Sequence, residues 1–85
     1  MHKYILKIDG MRCGMCECHV DDVIRKNFKD AKKVKSSHIK GESSFISKDD
    51  INEFDFHNVF DPTGYRIEGI KKIEVVKKGL FYKEI

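Results

Sequence analysis

The stretch Lys3-Tyr4-Ile5-Leu6-Lys7-Ile8-Asp9-Gly10-Met11-Arg12-Cys13-Gly14-Met15-Cys16 contains a change of period, and the fold is read outward from it. Up to Ile8 the residues alternate. Tyr4, Leu6 and Ile8 share one face and Lys3, Ile5 and Lys7 the other, the pattern of a strand with one covered side. Asp9-Gly10 breaks it. From about Cys16 the positions Val20, Val23, Ile24, Asn27 and Phe28 recur at spacings of three and four, while Asp21, Asp22, Arg25, Lys26 and Lys29 fall mostly elsewhere. That spacing predicts an amphipathic helix of about four turns.

Downstream, Ala31 to Ser47 carries Val34, Ile39, Phe45 and Ile46 around Lys40-Gly41, which reads as two antiparallel strands joined by a turn. Asn52 is a good N-cap for a second helix with Phe56, Val59 and Phe60 on its inner side, stopped by Asp61-Pro62. A last strand opens at Tyr65-Arg66-Ile67. Its alternation falters at Gly69-Ile70 and resumes with Ile73 and Val75, which predicts a bulge or a strand end. The order strand, helix, strand, strand, helix, strand predicts an α+β fold of the ferredoxin-like βαββαβ type: four antiparallel strands with both helices on one face. The expected domain covers residues 1–76, and residues 77–85 are expected to form a loose tail.

Composition narrows the class. With 85 residues the chain makes one domain, and 40% hydrophobic against 36% charged residues excludes wholesale disorder. Seventeen Lys and Arg against fourteen Asp and Glu, mixed along the chain, give a net +3, too little to argue for nucleic acid. The apolar stretch after Met1 is interrupted by Lys7 and Asp9, and no run approaches the roughly 20 apolar residues of a membrane span. A soluble, cytoplasmic protein without membrane insertion is expected. The three cysteines all lie between positions 13 and 18, too close together to staple distant segments, so metal or redox chemistry is expected of them.

Cys13 and Cys16 sit where the first strand hands over to the first helix. Unpaired N–H groups and the positive end of the helix dipole stabilise a thiolate there, and Arg12 is expected to add to the effect. Two soft sulfur anions a few ångströms apart suit Cu(I), which accepts two-coordinate thiolate binding; Zn(II), Cd(II) or another soft ion is the alternative. Cys18, about 200° around the helix from Cys16, is expected on the outward face as an exposed thiol; the alternative, a third ligand, requires a frayed first turn and would favour larger soft ions or Zn(II). His19, three residues after Cys16, is within leaning distance of the site but is read as a surface residue, and His2, His38 and His57 have no ligand spacing.

The run Gly10-Met11-Arg12-Cys13-Gly14-Met15-Cys16, with a strand before it and a helix carrying Val20 and Ile24 after it, resembles the signature of the heavy-metal-associated domain family of copper chaperones and metal-pump N-terminal domains. Phe56, Phe60 and Gly64-Tyr65 resemble that family's second helix and the loop facing the metal, so the resemblance covers about residues 3–70. It implies Cys13 and Cys16 as metal ligands, Met11 as a buried prop under the loop and Tyr65 as a shield beside the ion. It also implies a carrier rather than an enzyme, working as a monomer or a metal-bridged dimer. The partner it implies is the metal-binding domain of a membrane metal-transporting P-type ATPase.

Two rival readings share features with this one. A thiol–disulfide oxidoreductase also places C-x-x-C between a strand and a helix, but the only proline, Pro62, lies in the Asp-Pro-Thr-Gly turn and the second half lacks a long helical crossover. An RNA-binding ferredoxin-like module needs stacking aromatics on its middle strands, where Phe45 is nearly alone.

Overall fold

The computed structural model of the chain describes residues 1–79 and 81–84. β1 (His2–Asp9) is a central strand, with β3 (Glu42–Ser47) antiparallel on one side and β4 (Arg66–Lys78) antiparallel on the other. β2 (Lys32–Ser37) pairs outside β3, and α1 (Gly14–Asn27) and α2 (Glu53–Phe60) supply the crossovers. This is the predicted ferredoxin-like α+β arrangement.

Both helices lie on the face predicted to be covered. Tyr4, Leu6 and Ile8 of β1 and Phe45 of β3 form one cluster with Val20 and Ile24 of α1 and Phe56 and Phe60 of α2. Each such side chain contributes roughly 1.5–3 kcal/mol when fully buried. Tyr4 is completely buried between the Phe45 and Phe56 rings, each with its centroid 5.3 Å away. Its hydroxyl meets its hydrogen-bonding needs at the N-terminal approach to α2, donating to the Asp49 carbonyl and accepting from the Ile51 N–H, both at 2.8 Å. Asn52 caps α2 as expected, its side-chain oxygen accepting from the Asp55 N–H at 2.9 Å.

Two features depart from the reading of the sequence. The sheet has five strands instead of four: β4 runs past the end of β1, where the Val75 N–H donates to the Met1 carbonyl, and β5 (Phe81–Glu84) folds back onto the overhang. Gly79, at φ +59°, supplies the left-handed turn this return requires. Residues 77, 78 and 81–84, within the stretch expected to be a loose tail, are therefore strand. Ile39, expected in a strand, stands 86% exposed at the tip of the β2–β3 turn. The register of that hairpin is displaced by an irregularity between Lys32 and Lys35, with Lys33 at φ +55°. The bulge predicted near Gly69 is present, since Lys7 pairs with Gly69 and Ile8 with Ile67, leaving Glu68 as the extra residue.

Candidate metal centre

Three segments meet at the C-terminal end of β1. The loop leaving β1 passes under its own cysteines, with Met11 turned inward at 7% exposure to join the apolar core. The β2–β3 turn is held to the same end by the Ile8 N–H donating to the Gly41 carbonyl at 2.8 Å, and by Glu17 of α1, whose carboxylate accepts from the His38 backbone N–H at 2.7 Å. The third segment follows α2. Asp61–Thr63 makes a single 3₁₀ turn, Gly64 closes it at φ +88°, and the Thr63 hydroxyl, donating to the Phe60 carbonyl at 2.6 Å, accepts from the Tyr65 N–H at 3.2 Å. Tyr65 is thereby fixed against the loop.

Cys13 is the N-cap of α1, with extended backbone and its carbonyl accepting from the Cys16 N–H at 3.0 Å. Cys13 is exposed and Cys16 half-buried, and their sulfurs lie 4.0 Å apart. Two metal–sulfur bonds of about 2.3 Å span at most about 4.6 Å, so one soft ion can bond to both sulfurs where they stand. The Cys16 thiol is lowered from 9.0 to about 7, chiefly by the Arg12 backbone N–H, then by the Tyr65 hydroxyl and the Cys13 contacts, against some desolvation. The contribution of Arg12 comes from its main-chain N–H and not from its side-chain charge. Tyr65 is correspondingly pushed up, first by burial and then by the adjacent Cys16 sulfur.

Cys18 is exposed on the helix, as predicted. Among the described residues no group of three or more His, Cys, Asp or Glu side chains is placed to hold a metal ion together. His19 leans toward the loop all the same: its Nδ1 lies 3.1 Å from the Tyr65 hydroxyl and the two rings stand edge to face at 5.5 Å. Sequence spacing shows only that His19 follows Cys16 by three; its partner is 46 residues away. His38 lies against Glu17, His2 against Glu74 and His57 against Glu53, so these three make local contacts with carboxylates away from the sulfur pair. No described helix is long and apolar enough to cross a membrane.

No family model matches the chain. The mercuric reductase of Lysinibacillus sphaericus is 33% identical to it over 73 residues, which are 86% of this chain and 13% of the reductase, so the chain spans only a small part of that enzyme's length. Among solved structures, the CopZ metallochaperone is similar with a TM-score of 0.64 at 21% identity, covering 76% of this chain and 97% of its own. A copper binding domain from HMA7, a P-type ATPase, is similar with a TM-score of 0.65 at 18% identity, covering 84% of this chain and 99% of its own. With the strand–loop–helix that carries Cys13 and Cys16, this chain has the fold of the heavy-metal-associated domains.

Proposed function

We propose that the chain binds one soft heavy-metal ion, Cu(I) above all, between Cys13 and Cys16, and passes it to a partner by ligand exchange. The observation that carries this reading is the 4.0 Å sulfur pair at the first turn of α1, with one thiol lowered to about 7. Near neutral pH about half of the Cys16 thiol is already thiolate, so at that sulfur the ion displaces less than a full proton on binding. Binding at two sulfurs on an exposed loop leaves the ion open on one side. An incoming thiolate from a partner's own pair forms a third metal–sulfur bond, one Cys–metal bond then breaks, and the released thiolate remains as such or takes a solvent proton. No step requires a free ion or a general base.

The CopZ metallochaperone and the copper binding domain of HMA7 support copper as the cargo and the metal-binding domain of a P-type ATPase as the kind of partner. Three free thiols suit the reducing cytoplasm. A second cargo has a specific observation in its favour: the 33% identity to a mercuric reductase points to Hg(II), which is equally suited to a pair of soft sulfurs. Thiol–disulfide exchange by the same pair is the less supported reading, because the fold matches metal-binding domains.

Anaerobic titration of the reduced chain with Cu(I), Hg(II) and Zn(II), followed by native mass spectrometry, tests the assignment. One equivalent of Cu(I) or Hg(II) is expected to bind far more tightly than Zn(II), and Cys13→Ser or Cys16→Ser to weaken it at least about 100-fold. Undiminished affinity in either variant overturns the site, and a clear preference for Hg(II) replaces copper as the cargo.

A further inference from the structure

The face of the sheet that neither helix covers carries a marked surplus of positive charge. Cross-strand partners share a face, so the register gathers Lys3 and Lys7 of β1, Lys32 and Lys35 of β2 and Lys71 of β4 on this side. Lys40 joins them from the β2–β3 turn. Lys3, Lys35 and Lys40 line a cleft of about 260 Å³ together with Ser37 and Ser44. Glu42 is the acid set among these lysines, and Asp9 and Arg66, opposite each other at the end of the face, cancel. The surplus of five positive charges exceeds the net +3 of the whole chain, so the rest of the molecule is on balance acidic.

A solvated sheet face has to be polar, but polarity does not require this asymmetry. Opposite charges placed across strands stabilise a sheet and lysine is a poor strand former, so a face with this lysine surplus is costlier than a balanced one. Between the lysines runs an apolar strip of Ile5, Ile46 and Ile73, with Ile5 and Ile73 half-exposed. The face positions on β1 to β4 hold no aromatic ring and the register adds the single ring of Tyr82 on β5, opposite Lys77, so nucleic acid bases find no continuous stacking platform. Arginine, favoured over lysine in protein–protein interfaces, is present only in the cancelled Asp9–Arg66 pair.

We propose that this open face is a docking surface for anionic phospholipid membranes, with the cleft between Lys3, Lys35 and Lys40 receiving a headgroup phosphate. A sheet presents its lysines together to a planar surface, whereas a cylindrical duplex meets one row at a time. Flexible lysine stems reach the headgroup layer while the half-exposed Ile5 and Ile73 lie against its edge. The attraction acts within about one Debye length, roughly 8 Å at physiological salt, so the charges have to lie on one side, as they do. In that orientation the helices point away from the membrane, and Cys13 and Cys16, at the end of β1, stay open at the side. The inference is independent of the metal reading.

Flotation of the full 85-residue chain with vesicles tests it, using phosphatidylcholine alone or with about one third phosphatidylglycerol, at low and high salt. The chain is expected to float with the anionic vesicles only and to be released by high salt. Lys35→Glu with Lys71→Glu is expected to weaken binding at least tenfold, and Lys26→Glu with Lys29→Glu, at the end of α1, less than about twofold. Circular dichroism checks that each variant folds, and Lys35→Gln with Lys71→Gln, expected to lose about half as much in logarithmic terms, replaces the first pair if it does not. Indifference to phosphatidylglycerol, equal losses in the two pairs, or displacement of the chain from vesicles by single-stranded RNA at matched charge overturns the proposal.

Discussion

Gly10 and Tyr65 face each other across the loop that carries the cysteines: Gly10 sits at φ +109°, and a Cβ on it would lie 3.3 Å from a ring carbon of Tyr65. A larger side chain at this corner is strained by the left-handed backbone and presses on the tyrosine ring that lies beside the cysteine loop. Tyr65 lowers the Cys16 thiol and touches His19, so this corner sets the electrostatics of the site as well as its shape.

Gly10→Ala is accordingly expected to cost about 1–3 kcal/mol in urea unfolding, from left-handed strain together with pressure on the Tyr65 ring. Gly64→Ala is the control. Gly64 is also left-handed, at φ +88°, but has nothing within 4 Å of a new Cβ, so the strain is present without the collision. Gly10→Ala is expected to destabilise the fold more and to alter Cys16 reactivity. Equal losses with unchanged reactivity would show that the contact with Tyr65 has no role.

Tyr4→Phe is expected to destabilise the fold by about 1–3 kcal/mol although it removes a single oxygen. That oxygen is the acceptor for the Ile51 N–H and a donor to the Asp49 carbonyl in the turn before α2. Removing it leaves a buried N–H without a partner and unties the N-terminal approach of the helix, while the ring packing against Phe45 and Phe56 is kept. Hydrogen exchange at Ile51 measures this directly, and exchange there is expected to accelerate well beyond the global change.

Asp50 gives a pH dependence with a defined sign. Its carboxyl is held below the ordinary 3.8 by the hydrogen bond from Lys72 and by that residue's charge. A group with a depressed folded pKa contributes stability above its unfolded value and loses it as pH falls through the folded one, so the contribution is present at pH 7 and disappears below about pH 4. The pair is on the surface, so Asp50→Asn is expected to lower the melting temperature by at most a few degrees at pH 7, and by less at pH 3. A larger difference at pH 3 would contradict the assignment.

The elements legible in the sequence are those whose own residues carry their period. Tyr4, Leu6 and Ile8 alternate without interruption, and Val20 and Ile24 repeat at helical spacing, so β1, α1 and the cysteine loop between them were readable. The β2–β3 hairpin was blurred because the irregularity at Lys33 shifts the phase and sends Ile39 to the tip of the turn. β5 was hidden for another reason: Lys77, Lys78 and Lys83 give its region no apolar alternation, and it forms because β4 overhangs β1 and offers a free edge. At the site the thiol pair was readable, whereas the Arg12 main-chain N–H acting on Cys16 and the His19–Tyr65 contact arise only when distant segments meet.

Cys18 separates a two-sulfur site from a three-sulfur one. It lies about 200° around α1 from Cys16, is exposed, and has no group of further ligands near it among the described residues. Cys18→Ser is therefore expected to change Cu(I) affinity by less than about twofold, whereas loss of a true third thiolate would weaken Cd(II) or Zn(II) far more than Cu(I). Alkylation followed by mass spectrometry gives a direct count. In the metal-free protein all three thiols are expected to react, with Cys16 favoured near neutral pH by its lowered thiol. In the metal-loaded monomer one thiol, Cys18, is expected to remain reactive while Cys13 and Cys16 are protected. Protection of all three in a fraction shown to be monomeric would mean that the first turn unwinds to bring Cys18 inward, and the two-sulfur geometry would then be wrong. A metal-bridged dimer also covers Cys18, so the count is made after size separation, where protection confined to the dimer places Cys18 between two copies of the chain.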